Sequence, residues 1–366
     1  MATITGTLAT MTRLSDSGNA AGRASNINLL TLHLDDLDLP FNQFGLMATG
    51  VRTNSGRLRL ILWRLAEDGS SITRLGDSGN QGPEVNGIAA VRVSFLRIAT
   101  AVRTDQGRLQ VLVWRVNNGG EDIELLGQSD TTPEMAIASS ELSIETMNAG
   151  QVVTVSRNGD GRLIVRNWRI NEGTILPVGN GFVEGEVVTE FASTRPFIGR
   201  LVTASRTGAG RLQLHSWATP PAVDPTLLFA SDSEAAGDGR QISAALGGDI
   251  MTAVRTLEGN LKLIRWNGAL EREGDSGNLG GSASRTSVLA LNGDFYLTAV
   301  RGEGGRLQVD SWEVNPASSE IDKTRVTAEQ DQEPVGEVAF ARVFGPNVVT
   351  AVQDENRRLK LIAWQP

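Results

Sequence analysis

The feature that most restricts this chain is a hairpin written seven times. All seven tryptophans (Trp63, Trp114, Trp168, Trp217, Trp266, Trp312 and Trp364) close the same kind of segment, with successive gaps of 51, 54, 49, 49, 46 and 52 residues. Fourteen residues before each stands a threonine: Thr49, Thr100, Thr154, Thr203, Thr252, Thr298 and Thr350. Three residues after the threonine comes Arg52, Arg103, Arg157, Arg206, Arg255 or Arg301, with Gln353 in the last copy. Seven residues before each tryptophan lies Gly56, Gly107, Gly161, Gly210, Gly259 or Gly305, with Arg357 in the last copy. A period of this size has to be read before any local signal, because it fixes the architecture.

Each copy reads as two strands. In Arg108–Trp114, Leu109, Val111 and Val113 alternate with Gln110, Leu112 and Trp114, so both faces carry apolar groups. That pattern suits a strand sandwiched between neighbouring sheets, and it predicts that the tryptophans are buried there. The preceding strand is rich in Ala, Thr and Val, small enough for a large side chain to lie against. Between the strands, Thr104-Asp-Gln-Gly107 and its equivalents predict a tight turn with glycine in the left-handed conformation. Arg357 predicts a differently shaped turn in the last copy.

Dividing 366 residues by seven gives about 52 per unit, the size of a four-stranded propeller blade. Outer strands are legible after the tryptophan strands at Ile72–Asp77 and Leu270–Asp275, with weaker equivalents at Ile123–Gln128, Ile175–Asn180, Leu227–Asp232 and Ile321–Thr327. Apolar segments such as Gly87–Val93 follow as the inner strand of the next unit. The last unit has no outer strand after Trp364, whereas Thr10–Asp16 is an outer-type strand ahead of any unit. One N-terminal strand completing three C-terminal ones would close a ring and remove exposed edges. The expectation is an all-β, single-domain, seven-bladed β-propeller of four-stranded antiparallel blades over residues 1–366, with residues 1–18 completing the last blade.

Composition excludes some functions and leaves others open. A net charge of −8 gives no nucleic-acid footprint, and the absence of cysteine excludes disulfides and thiol chemistry. No window approaches the roughly 18 apolar residues of a membrane span. The N-terminus lacks the pattern of a signal peptide, so the expectation is a soluble protein, cytoplasmic or secreted by another route. With two histidines (His33 and His215), one tyrosine and no nucleophile motif, the usual general bases are scarce, and no catalytic residue or cofactor is expected. His215, in the Trp217 strand, reads as structural. Carboxylates contributed by different blades would escape a motif search.

Two groups of residues are candidates for binding. Asp16 to Arg52 spans 36 residues, against 26 from Asp77 to Arg103, and the surplus falls in an acidic loop. There Asp35, Asp36 and Asp38, beside His33, could hold a hard cation such as calcium or form a solvated loop. The second group is repeated. In four-stranded meanders the second-to-third turns and the outer-to-inner loops emerge on one face. Arg52, Arg103, Arg157, Arg206, Arg255 and Arg301 therefore share that face with the turn arginines and with Asp77 and Asp275. Either they hold the blades together, or they form a ring of near-equivalent pockets, each offering Arg, Asp and a Trp edge to a polar ligand such as a sugar.

In its whole length the chain resembles seven-bladed β-propellers with the N-terminal strand closure of WD-repeat proteins. The Gly-His and Trp-Asp signatures of that family and the kelch double glycines are absent. The units are similar in style to bacterial and invertebrate propeller lectins, which implies a multivalent, non-enzymatic, lectin-like module for a polar or carbohydrate ligand. The alternatives are a hydrolase or lyase using carboxylates near the central channel, or a protein-interaction scaffold with a partner on a disc face.

Overall fold

The computed structural model describes residues 9–366 except 19–20, 33–44, 118, 132–135, 139–140, 149, 233–241, 329–331 and 345–346. It is all-β, and its strands run as antiparallel four-strand meanders. After β1 (Ala9–Asp16) come β2 (Ala24–Thr31), β3 (Leu46–Thr53), β4 (Leu58–Leu65) and β5 (Ile72–Asp77), then β6 (Val85–Ser94), β7 (Arg97–Thr104), β8 (Leu109–Val116) and β9 (Ile123–Gln128). The next group is β10 (Ser143–Asn148), β11 (Gln151–Arg157), β12 (Arg162–Asn171) and the 24-residue β13 (Thr174–Phe197). The first half of β13 pairs with β12. Its second half opens the following meander, with β14 (Arg200–Thr207), β15 (Leu212–Ala218) and β16 (Thr226–Ala230).

Then follow β17 (Ile242–Leu246), β18 (Ile250–Arg255), β19 (Leu261–Trp266) and β20 (Arg272–Asp275), and β21 (Thr286–Ala290), β22 (Phe295–Arg301), β23 (Leu307–Val314) and β24 (Ile321–Thr327). The chain ends with β25 (Val335–Phe344), β26 (Asn347–Asp354) and β27 (Leu359–Gln365). β1 lies along β27 in antiparallel register, Arg13 opposite Trp364, and also runs parallel to β24 through Ala9–Met11.

The tryptophans set the packing between meanders. All seven are at most 1% exposed. Trp114 sits with Leu58, Leu60 and Leu62 of β4, Trp168 with Val111 and Val113 of β8, and Trp63 with Leu361 and Ala363 of β27. The first strands also touch in chain order: β2 with β6, then β10, β13, β17, β21 and β25, and β25 with β2.

A buried indole N–H needs an acceptor, and the threonine fourteen residues upstream is that acceptor. In every copy the Trp Nε1 donates to the Thr Oγ1, at 2.8–3.0 Å. In the first copy Trp63 pairs with Met47, so Thr49 is its diagonal neighbour on the same face.

The turn glycines take the expected conformation, with φ of +75° at Gly107 and between +77° and +86° in the other five. The expectation for the last turn is corrected. Arg357 adopts the same left-handed geometry, with φ of +60°, and its N–H donates to Asp354 at 2.9 Å just as Gly107 donates to Thr104 at 3.0 Å. A shared hairpin register imposes the turn whatever residue occupies it.

Candidate functional site

Geometry accounts for five of the six repeated arginines one contact at a time, whereas the buried Nε of Arg255 has no hydrogen-bond partner among the described residues. Arg52 Nε donates to the Val85 carbonyl at 2.7 Å, Arg103 Nε to Ile137 at 3.1 Å, and Arg301 Nε to Val335 at 2.7 Å. Arg157 reaches the Val188 and Thr189 carbonyls at 3.1 and 2.8 Å, and Arg206 the Thr189 hydroxyl at 3.2 Å. Each acceptor except that of Arg206 begins the next first strand or leads into it. The same residues are caught a second time, because the N–H groups of Val85, Ile137 and Val188 donate to the carbonyls of Gly56, Gly107 and Gly161 at 2.8–2.9 Å. In the last copy Gln353 Nε2 donates to the Ala24 carbonyl at 2.6 Å, while Ala24 N–H donates to Arg357 at 2.9 Å.

Arginine and glycine are coupled in this arrangement. The guanidinium curls over the turn, so that a Cβ at Gly107 would stand 3.1 Å from Arg103 Nη2 and one at Gly305 2.8 Å from Arg301 Nη2. Where glutamine replaces the arginine, that obstruction is gone and Arg357 is accommodated. Turn arginines add to the tie: Arg57 Nε donates to Gly82 at 3.1 Å and Arg108 Nη1 to Thr131 at 2.9 Å.

Asp77 and Asp275 lie at the same end of their meanders. Asp77 accepts from the Gly79 N–H at 2.6 Å and pairs with Arg74; Asp275 accepts from Gly277 at 2.7 Å and pairs with Arg272 and, at 2.9 Å, with Lys262. Asp16 repeats the motif with Gly18, Arg13 and Lys360. Burial raises the Asp16 carboxyl, but the Gly18 N–H and the two cations outweigh it and hold the group below its ordinary value. The serine that follows each aspartate finishes the turn: Ser78 Oγ accepts from Leu60 N–H at 3.0 Å and Ser276 Oγ from Leu263 at 3.0 Å.

Two cavities between meanders differ in lining. One, of 280 Å³, holds Arg23, Arg52, Gln353 and Arg357; the other, of 360 Å³, holds Asp232, Glu271, Arg272 and the edge of Trp266. The acidic loop with His33, Asp35, Asp36 and Asp38 lies outside the described residues. His215 is buried against Trp217 with ring centroids 6.0 Å apart. Asp310 holds the equivalent position in β23, where Lys323 pairs with it at 2.9 Å. Burial pushes the Asp310 carboxyl up against the pull of that lysine.

A third group of residues is absent from the sequence reading. The first strands line a cavity of 470 Å³ that holds Arg92, Glu145, Arg195 and Arg342 together with Thr31 and Thr146. Glu145 Oε1 accepts from Ser193 Oγ at 3.1 Å, and Ser193 lies 2.6 Å from Ser143 Oγ. Burial drives the Glu145 carboxyl up to about 7, against the opposing pull of Ser193 and Arg195. The signal was present as charged residues inside otherwise apolar first strands, but those strands are the least repetitive part of each unit.

Meanders of this kind, with first strands facing a common cavity, define a β-propeller. No protein-family model matches the chain, and no curated protein matches it. Among solved structures it is similar to BBS1N in complex with ARL6DN, in crystals soaked with lead and with mercury. Each has a TM-score of 0.58 and 10% identity over 98% of this chain and 97% of that one. Among the described residues no helix is long and apolar enough to cross a membrane.

Proposed function

We propose that the chain is a single seven-bladed ring, closed by β1, that works as a non-enzymatic scaffold for a protein partner. The ring reading is supported by the contact of β25 with β2, by the seat of Trp63 against β27, and by the pairing of β1 with β27. What carries the scaffold reading is an exposed apolar corner. Phe197, at the end of β13, is 58% exposed and Ile198, in the turn after it, 73%, while Val223, in the connection from β15 to β16, is 55% exposed; the Thr219 N–H of that connection donates to Gly199 at 2.9 Å. Clustered exposed apolar side chains mark interaction sites far more often than isolated ones do. The similar BBS1N is itself seen with ARL6DN, which fits a propeller engaging a protein.

In this reading Arg52, Arg103, Arg157, Arg206, Arg301, Asp77 and Asp275 are ties within the ring, and Arg255 makes no such tie among the described residues. A lectin-like use of the same residues has less support. It calls for aromatic faces open to a sugar, and the tryptophans are buried; it also calls for alike pockets, and the two cavities are lined differently. The test sets the wild-type chain beside an F197D/I198D variant, each used to capture partners and each applied to a glycan array. Stoichiometric capture of one protein by the wild type, lost in a variant with an unchanged melting midpoint, is expected. Glycan binding that survives the double substitution would overturn the scaffold reading in favour of the lectin.

A further inference from the structure

Five of the residues that line the cavity, Thr31, Arg92, Thr146, Arg195 and Arg342, stand at one level of the first strands. In β6 the layer residue is Arg92, opposite Ile98, which is in turn opposite Trp114. The same count gives Arg342, opposite Val348 and thence Trp364. It gives Thr146 through Val152 and Trp168, and Thr31 through Met47 and Trp63. Arg195 falls at this level in the irregularity after Thr194, beside Leu201, the partner of Trp217. Leu246 and Ala290 hold the place in the remaining two. Three arginines from three different strands therefore converge at one level, with Glu145 as the only carboxylate lining the cavity among the described residues.

The hydrogen bonds of Arg195 and Arg342 leave donors for something else. Arg342 Nη1 donates to the Leu291 carbonyl at 2.8 Å, yet its Nε is buried with no hydrogen-bond partner. Arg195 Nη1 makes one long contact of 3.4 Å to Met147. A buried donor left unmade is costly, and guanidinium groups match oxyanions through paired N–H bonds. In a chain of net charge −8, the described residues of this cavity carry three guanidiniums against one carboxylate.

We propose that this layer of the channel is a binding site for one small oxyanion ligand, a dicarboxylate or a tetrahedral dianion, held by Arg92, Arg195 and Arg342. The proposal does not rest on the scaffold reading. Glu145 modulates the site. It lines the cavity together with Arg92, Arg195 and Arg342, and among the described lining residues it is the one carboxyl, the group whose charge changes near neutrality. Its proton is bound below a pH of about 7 and lost above it. Anion affinity therefore rises as pH falls from 8 to 6.

The experiment is calorimetric titration of the full chain with malonate and with sulfate at constant ionic strength, with neutral malonamide as control. One site per chain is expected for one or both anions and none for malonamide, and the preferred anion identifies the ligand chemistry. Arg342→Gln should weaken binding at least tenfold. Glu145→Gln should tighten it severalfold at pH 8 and abolish its pH dependence, a gain that misfolding cannot mimic. Absence of saturable binding by either anion would overturn the proposal. So would binding that Arg92→Gln and Arg342→Gln both leave unchanged, or several sites per chain.

Discussion

At the scale of single residues, the threonine–tryptophan pair and the arginine–glycine pair explain why four positions recur together. Replacing Thr100 with valine keeps the shape but leaves the Trp114 N–H buried without an acceptor, since that bond of 3.0 Å is its partner. The expected cost is about 1–3 kcal/mol, read as a fall in the denaturation midpoint with an unchanged slope. Gly107→Val should cost about 1–2 kcal/mol for the left-handed backbone alone. Its Cβ would also press on Arg103, so removing that arginine in the double variant should recover part of the loss. The last copy is the natural counterpart: Arg357 carries the strain of a φ of +60°. Arg357→Gly should stabilise the protein by roughly 0.5–1 kcal/mol, the strain relieved less the freedom glycine adds to the unfolded chain. A lower melting midpoint in that variant would refute this account of the turn.

At the scale of strands and turns, the repeat made the second and third strands and the turn between them readable directly. The outer strands were readable too, with Ile123–Gln128 and Ile321–Thr327 falling where their sequence put them. Two things were not legible. The partner of Arg52, Arg103, Arg157 and Arg301 is a backbone carbonyl about 30 residues onward, and a carbonyl has no sequence signature: nothing in Val85 or Ile137 says that its oxygen is the acceptor. The channel layer was hidden for a related reason, because Arg92, Arg195 and Arg342 are brought to one level only by three separate strand registers. The ties between meanders yield a measurable expectation. Arg103→Ala should lower stability by about 1–2 kcal/mol, since a charged donor to a part-buried carbonyl is lost, and should leave malonate or sulfate binding in the channel untouched. A variant with an unchanged melting midpoint would mean that the Ile137 carbonyl is satisfied without the arginine.

At the scale of the whole molecule, the question is whether the ends of the chain hold each other. β1 lies between β27 and β24, with Arg13 opposite Trp364 and Met11 buried among Leu297, Val309 and Trp364. Beside it, Ser17 exchanges two hydrogen bonds with Leu361, and Asp16 pairs with Lys360 at 3.4 Å. Because the Asp16 carboxyl is held below its ordinary value of 3.8, its contribution is complete above that value and is lost as pH falls through the lower folded one. Asp16→Asn should therefore weaken the N-terminal strand at neutral pH and reduce the loss that the wild type shows in acid. Deletion of residues 1–18 asks the larger question. It removes the apolar burial of Met11, about 1.5–3 kcal/mol by itself, and uncovers the backbone edge of β27, a template for pairing with other chains. The truncated protein should melt several degrees lower and elute partly as aggregate, and a synthetic peptide of residues 1–18 should restore both properties. The peptide is the decisive arm, because general destabilisation would not be repaired by one specific strand. A truncated protein that stays monomeric with an unchanged midpoint would show that β1 closes nothing, and the ring would have to be abandoned for an open array of meanders.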